Sequence, residues 1–305
     1  MRHFGRILLC LCLLLGFSAV SFGQEEDPVA QLADIMDEIN LALDGQGANY
    51  RVAMAEAIVS TDSQHQGITL IASNVGNKQL SSDFVPFDAR RAWSLPDPAG
   101  EDSITYAVDT TGDAVPVFGG LTGAETDAAI DRAMGTWDGA RCSFMPIIRN
   151  PDFGIDIGVI AFINGLGGSP FILADVQHAG WRDINFGGGV IGVTFTFIFV
   201  SGGIPTDIDN NGLTDTAFRE IYYDPSFNWA DDGINNVDVE TVALHEAGHG
   251  LSQAHFGNVF IVQSNGNLVA APRAVMNAVY LGPLRDLQGT DKGGHCSIWG
   301  EWPQN

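Results

Sequence analysis

Positive charge is scarce in this chain of 305 residues. Lys78 and Lys292 are its only lysines, and 14 Lys and Arg residues face 37 Asp and Glu residues, which gives a formal net charge of −23. Proteins that hold nucleic acid or anionic lipid need a basic surface, so this composition excludes both partner classes. The surplus of carboxylates instead favours a soluble secreted protein with sites for divalent cations.

Long apolar runs are also scarce. The longest, residues 7–20, has 14 residues and is too short to span a bilayer. Arg2 and Arg6 precede it and small residues around Gly23 follow it, a pattern typical of a secretory signal peptide. We therefore predict residues 1–23 as a cleaved signal, secretion to an extracellular or periplasmic space, and no membrane insertion afterwards. A membrane anchor that stays attached is the alternative.

Cysteine is the third residue type in short supply. The chain has 4 cysteines, of which Cys10 and Cys12 would leave with the signal peptide. The other two, Cys142 and Cys296, would then meet an oxidising compartment, which favours one disulfide that closes a long loop. Two separate buried thiols are the alternative, and the sequence leaves both open.

The remaining sequence predicts an α+β protein with a small α+β N-terminal region, 24–98, and a main domain, 99–305, divided by a stretch rich in proline and glycine. Helical spacing and helix-start residues predict helices from Pro28 to the glycines at 45 and 47, at about 123–137, from Asp238 onward, and at about 286–299. Apolar runs rich in β-branched and aromatic residues predict strands at 50–59, 67–72, 103–108, 155–163, 190–200 and 220–223.

Residues 245–255 read HEAGHGLSQAH and contain the candidate metal ligands and the candidate general base. Residues four apart share one face of a helix, so His245 and His249 can offer imidazole nitrogens to one metal ion. Glu246 lies beside that face, where it can accept a proton from a zinc-activated water. His255 would return as the third ligand, which leaves the open position that catalytic zinc needs. The alternative is a helix with two solvated histidines and an ordinary glutamate.

Other residues of the chain are possible third zinc ligands. A glutamate on a later helix is one solution for such sites, but the only glutamate after the second histidine is Glu301, almost at the end of the chain. Asp286, Asp291 and His295 are formal candidates as well. His255 needs no special geometry, so we predict it as the ligand.

This stretch resembles the extended zinc motif of the metzincins, HExxHxxGxxH. Residues 274–276, Ala-Val-Met, resemble the Met-turn of that family, in which the residue at Met276 forms an apolar floor beneath the zinc. Residues 276–280 are similar to the matrixin segment that runs into the wall of the substrate pocket. The resemblance therefore implies that Tyr280 lines the pocket for the side chain after the scissile bond.

The likeness extends over about 103–300, with an opening strand at 104–106 and a closing helix at 291–300. It implies a metzincin-like fold for the main domain, with a twisted mixed sheet, an active-site helix and a C-terminal helix. The implied activity is that of a secreted zinc endopeptidase that cleaves protein or peptide substrates with Glu246 as general base. The rival function is a secreted, calcium-stabilised binding protein that keeps the fold without catalysis.

Two positions depart from the family pattern. Ser252 stands where the family has a glycine with positive φ, a strain on the order of 1 kcal/mol for serine. Ala278 replaces the proline of the pocket wall, so no side-chain preference carries over.

The family's cysteine switch is absent as well, since no cysteine lies between 24 and 141. If residues 24–98 act as a propeptide, latency needs another device. Asp83 or Asp88 would then serve as an aspartate switch, as in astacins, and the alternative is that both are solvated turn residues.

A second cluster, residues 207–215, matches the first part of an EF-hand-like calcium loop. Its oxygen-bearing residues are Asp207, Asp209, Asn211 and Asp215. Phe218 occupies the place of the usual bidentate acid, so the alternative is a polar turn. We predict a structural calcium ion here beside the catalytic zinc.

Two further features are weaker. His178 has no second histidine between 66 and 244 to complete a structural zinc site, so we predict a surface or core histidine. Residues 191–195 are the candidate cleft-edge strand, which would bind substrate by backbone pairing.

Overall fold

The fold is described by a computed structural model, which covers residues 27–72, 82–91, 93, 102–111, 115–184 and 186–304. The predicted signal peptide and the predicted domain boundary at 98 lie outside the described residues. Within them, the chain has a mixed α+β architecture with five α-helices and a mixed sheet of nine strands. In the part that is described, no helix combines the length and the apolarity that a membrane span requires.

The helices are α1 (Pro28–Gln46), α2 (Gly123–Asp138), α3 (Val159–Ile163), α4 (Val239–Gly250) and α5 (Gly289–Trp299), with a 3-10 turn at Ala89–Arg91. The strands are β1 (Tyr50–Val59), β2 (Ile68–Ile71), β3 (Ser82–Asp83), β4 (Ile104–Val108), β5 (Ile147–Arg149), β6 (Val176–Trp181), β7 (Val190–Ser201), β8 (Ile204–Pro205), β9 (Thr214–Tyr223), β10 (Trp229–Ala230), β11 (Val237–Asp238), β12 (Asn258–Ile261) and β13 (Leu268–Ala271).

The main sheet has the strand order β2-β1-β7-β9-β6-β4-β5, with β3 and β8 paired to β9 and β7. Strands β4, β5, β6 and β9 run parallel to one another, whereas β7 is antiparallel to β9, and β1 is antiparallel to both β7 and β2. One hydrophobic cluster joins the sheet to α2, α4 and α5. A second cluster joins it to α1 and α3. Helices therefore cover both faces.

Helix starts follow the local sequence closely. Asp27 accepts a hydrogen bond from Val29 N at 3.0 Å and begins α1. Thr122 and Glu125 form a capping box at α2, and Asp238 accepts from Thr241 N at 3.0 Å at α4. Because these bonds satisfy orphan N–H groups within four residues of the helix start, they can be read from sequence. The predicted helices are confirmed, with boundaries shifted by a few residues.

The strand predicted at 155–163 is wrong, because residues 159–163 form the short helix α3. Its first N–H groups, on Val159 and Ile160, donate to the buried carboxylate of Glu220 at 2.7 and 3.2 Å. That acceptor lies 60 residues away along the chain, so the sequence around 159 contains no capping residue that would predict the helix. Strand β6 and the β12–β13 hairpin were not predicted either.

Residues 191–195, the candidate cleft-edge strand, do not form a free edge of the sheet. Strand β7 is paired on both sides, with β9 on one edge and β1 on the other. Strands from the predicted N-terminal region and from the predicted main domain thus share one sheet. Hydrophobic patterning assigns the residues of β7 to a buried strand but says nothing about its neighbours.

The two cysteines of the predicted mature chain form a disulfide. The Cα atoms of Cys142 and Cys296 are 5.4 Å apart, and the bond spans 154 residues of sequence. It connects α5 to the segment that follows α2, on the side of the sheet that carries α4. A covalent link across so long a loop reduces the freedom of the unfolded chain.

Candidate metal centre

Three imidazole rings converge at the end of α4. The Nε2 atom of His249 lies 3.1 Å from Nε2 of His245 and 3.2 Å from Nε2 of His255. His245 and His249 are fully buried, and His255 is half-buried. The i, i+4 spacing on the helix brings the first two together, and the turn after Gly250 brings in the third.

The Nδ1 atoms of His245 and His249, which point away from the cluster, form hydrogen bonds with backbone carbonyl groups. Nδ1 of His245 donates to Val275 O and Nδ1 of His249 donates to Gln253 O, both at 2.7 Å. A carbonyl oxygen only accepts, so both protons sit on Nδ1 and the Nε2 lone pairs point at each other. Burial, and the neighbouring ring of His249, hold the pKa of His245 well below its usual value. Two bare lone pairs at 3.1 Å repel unless a proton or a metal ion lies between them, and the three convergent nitrogens form a donor set that could hold a metal ion.

The turn that delivers His255 contains the expected strained residue. Ser252 has a φ of 67°, in the left-handed region. Its Oγ accepts a hydrogen bond from the buried guanidinium of Arg219 at 2.9 Å, and the same nitrogen of Arg219 donates to Gly250 O at 2.8 Å. The arginine thus ties the end of α4 to a turn that glycine would adopt without strain.

Glu246 is buried beneath the sheet. Its Oε2 accepts a hydrogen bond from Thr194 Oγ1 on β7 at 2.6 Å, and its Oε1 has no hydrogen-bond partner among the described residues. Burial raises the pKa of this carboxyl to about 7. A carboxylate with one free oxygen and a pKa near neutrality suits a general base. Thr194 was not predicted, because only the fold brings it to the helix.

Met276 lies against the helix that carries the histidines. A side chain at Gly248 would collide with Met276 Sδ and the ring of Trp137, so only glycine fits there. The turn before Met276 is held by Asp291, which accepts from Val275 N at 2.9 Å and from Met276 N at 3.1 Å. Asp291 therefore positions the turn rather than joining the histidine cluster, and His295 stacks on Trp137.

A narrow cavity adjoins His245. Tyr280, Val275, Thr241 and Ile58 are among the residues that line it. The hydroxyl of Tyr280 accepts from Asp238 N at 2.9 Å, which fixes the ring at the cavity wall. The sequence-predicted pocket residue thus lies beside the candidate metal centre, together with a residue of β1 that was not predicted.

The acidic loop, residues 207–215, brings its four predicted residues close together. Carboxylate oxygens of Asp207, Asp209 and Asp215 lie within 4.8 Å of one another. Asp215 is ion-paired with Arg90 at 2.8 Å. Asn211 turns its amide nitrogen to Asp209, at 3.0 Å, while its oxygen accepts from Leu213 N. Among the described residues Arg90 alone forms an ion pair with these three carboxylates, and it also pairs with Asp88, so the loop keeps an excess of negative charge.

Neither candidate for an aspartate switch belongs to the histidine cluster. Asp83 accepts a hydrogen bond from Asn211 Nδ2 at 2.7 Å, so it belongs to the acidic loop. Asp88 is ion-paired with Arg90 at 2.6 Å. Parallel pairing of β3 with β9 carries both away from the histidines, and a local sequence pattern does not reveal that pairing.

His178 lies in the core, which was one of the two locations predicted for it. It is fully buried, its Nδ1 lies 2.8 Å from the hydroxyl of Tyr223, and its Nε2 has no partner among the described residues. Burial, with a smaller contribution from Arg149, lowers its pKa to about 3.

This histidine should make the fold sensitive to acid. Between pH 7 and pH 5 the unfolded chain protonates this side chain and the folded chain does not, so stability falls as pH falls. From an unfolded pKa of about 6.5 the loss is about 2 kcal/mol. We expect His178→Gln to remove about that much of the pH dependence, measured as urea unfolding at the two pH values. An unchanged pH dependence in the variant would contradict the prediction.

The described residues thus combine three convergent imidazoles, a buried carboxylate and an adjoining pocket. Side chains of these types, in this arrangement, could support metal-assisted hydrolysis. No protein-family model matches the chain, and no curated protein matches it. The function therefore has to be inferred from the chemistry of these side chains.

Proposed function

We propose that this protein is a secreted zinc endopeptidase of the metzincin type, with a main domain like that of the matrixins. The observation that carries the proposal is the set of three inward Nε2 atoms, two of which have their Nδ1 protons fixed on carbonyl oxygens. Nitrogen ligands in this number are those of a catalytic zinc with an open position. Two further observations support the proposal: His245 contacts the backbone just before Met276, and Tyr280 lines a cavity beside His245.

Zinc held by the three histidines would supply Lewis acidity, which acidifies water and polarises a peptide carbonyl. The protein's own part is proton transfer. Oε1 of Glu246 accepts no hydrogen bond from the described residues, so it can take a proton from water and deliver it to the leaving nitrogen. Thr194 holds the other oxygen and thereby fixes the direction of the carboxylate.

The substrate class follows from the pocket. Once Ile58 has left it, the cavity lined by Tyr280 and Val275, beside His245, would take one side chain of an extended peptide. The proposed substrates are therefore proteins or peptides outside the cytoplasm, in keeping with the predicted signal at 1–23. Nucleic acid and membranes are not proposed as partners.

The first experiment is metal analysis of the mature chain. We expect one zinc per chain, removed by a strong chelator and restored by added zinc, with hydrolysis of a denatured protein that follows the bound metal. A chain that binds no zinc would overturn the proposal. Stoichiometric zinc without hydrolysis, once the pocket has been opened as described below, would favour the non-catalytic binding protein.

We further propose that the acidic loop binds calcium through Asp207 and Asp209, with Asp83 facing them. Calcium at about 100 times its dissociation constant would stabilise the fold by about 2.7 kcal/mol. For a chain of this size that corresponds to a rise of roughly 5 °C in Tm, lost on chelation. Asp209→Asn should abolish the rise, whereas Asp62→Asn, in an exposed turn elsewhere, should keep it. If added calcium does not change the Tm, the loop is a polar turn without a calcium ion.

A further inference from the structure

The β1–β2 hairpin reaches the candidate metal centre at two side chains. Oε2 of Glu56 on β1 lies 3.3 Å from Nδ1 of His249, and both residues are buried. Oγ1 of Thr69 on β2 lies 3.2 Å from Nδ1 of His255. The hairpin therefore covers the histidines on the side of the sheet that faces α4.

Strand β1 is bordered on both of its edges at this point. On one edge it pairs antiparallel with β7, with Ile58 opposite Gly192. On the other edge Val59 N donates to Ala278 O at 3.1 Å, and Tyr280 N donates to Val59 O at 2.8 Å. The pairing with the 278–280 segment is parallel. β1 thus lies in a slot between β7 and the wall that carries Tyr280.

The side chain of Ile58 fills the pocket beside His245. Ile58 is 2 % exposed and lines the same cavity as Tyr280 and Val275. The free volume left there is about 20 Å³. That holds about a single water and has no room for a substrate side chain.

The peptide bond before Ile58 also lies at the proposed base. The main-chain N–H of Ile58 lies beside the Glu246 carboxylate. Oε1 of Glu246 would lie 3.0 Å from a Cβ added to Gly192, the residue opposite Ile58. In peptide hydrolysis the base delivers its proton to the nitrogen that follows the scissile carbonyl. Ile58 N is the nitrogen of this chain that stands in that place.

We propose that β1 occupies the groove in which a peptide substrate binds, with Ile58 in the pocket for an aliphatic substrate side chain, so that the β1–β2 hairpin must leave before a substrate enters. The inference rests on the proposed peptidase function and adds how the site is closed and what it selects. A substrate would take the place of β1, antiparallel to β7 and parallel to 278–280, with an aliphatic residue after the scissile bond.

The test uses the full mature chain carrying Glu246→Gln, so that no hydrolysis disturbs it. The probe is a peptide hydroxamate with a leucine-like side chain next to the metal-binding group, titrated by calorimetry into zinc-loaded protein. Because only the open fraction of the protein binds, affinity rises as β1 is loosened. We expect Ile58→Ala to bind the probe at least about tenfold more tightly than the same chain with Ile58 intact. The matched control, Ile71→Ala, truncates an exposed side chain of the same hairpin that does not line the cavity, and it should change affinity far less.

A second measurement needs no substitution in β1. Backbone amides of residues 54–59 should exchange with solvent faster when the probe saturates the chain, because the probe displaces the strand. Equal affinities for the Ile58-intact and Ile58→Ala chains, or probe binding that leaves these amides protected, would overturn the inference while the peptidase proposal stands. A chain that takes up no zinc would overturn both.

Discussion

Replacing Glu246 by glutamine is expected to lower peptide hydrolysis by roughly 10²- to 10⁴-fold while zinc stays bound, the range that general-base catalysis contributes. Glutamine has nearly the same shape and can still accept the hydrogen bond from Thr194 Oγ1, seen at 2.6 Å. It cannot take up a proton at neutral pH. The loss should therefore appear in turnover and not in metal content. The measurement is hydrolysis of a denatured protein beside zinc analysis of the same samples.

Thr194→Val provides the matched control for this variant. It keeps the carboxylate and removes only the hydrogen bond that aims it, so its loss should be much smaller than that of Glu246→Gln. Both should be measured in the natural chain and in the Ile58→Ala chain, in which the pocket is emptied. Full activity in Glu246→Gln would exclude this carboxylate as the base, whatever the metal content.

Replacing His255 by alanine is expected to weaken zinc binding by more than about 100-fold, since losing a mere outer-shell partner already costs 10- to 100-fold. The reason is ligand number, because two imidazoles on one helix do not make the three-ligand site of a catalytic zinc. Affinity can be measured by competition with a chelating dye. Hydrolysis should be lost in parallel.

Ser252→Gly is the control within the same turn. Its φ of 67° suits glycine, and the three histidines are retained, so zinc affinity should stay within a few-fold of the natural chain. Unchanged affinity in His255→Ala would mean that another group completes the site. Asp291 is a poor replacement, because both of its oxygens accept hydrogen bonds from the 275–276 backbone.

Much of the candidate site was open to prediction, because its signals are local. The spacing of His245 and His249 places both on one helix face, and Asp238 marks where that helix begins. Both of these signals depend on residues within a few positions along the chain, over which backbone geometry is regular. The positive φ at Ser252 was instead implied by the resemblance to the metzincin motif, in which a glycine stands at this position.

The partners of those residues were not predictable in the same way. Thr194 holds Glu246 across 52 residues of sequence, and Glu220 begins α3 across 61. No periodicity connects positions so far apart. The same limit applies to the candidate aspartate switch, because the pairing of β3 with β9 decides where Asp83 lies.

The sequence by itself predicted the three histidines that converge, the carboxylate of Glu246 beside them, most of the helices and the buried character of the strands, since side-chain chemistry and short-range periodicity encode them. Only the tertiary structure decided that β1 pairs with β7 and lays Ile58 in the pocket beside His245. The alternation of a strand marks which of its residues are buried, but strand neighbours are chosen by long-range packing of whole faces. The residues of the candidate site could therefore be predicted from the sequence, whereas the position of the β1–β2 hairpin over that site could not.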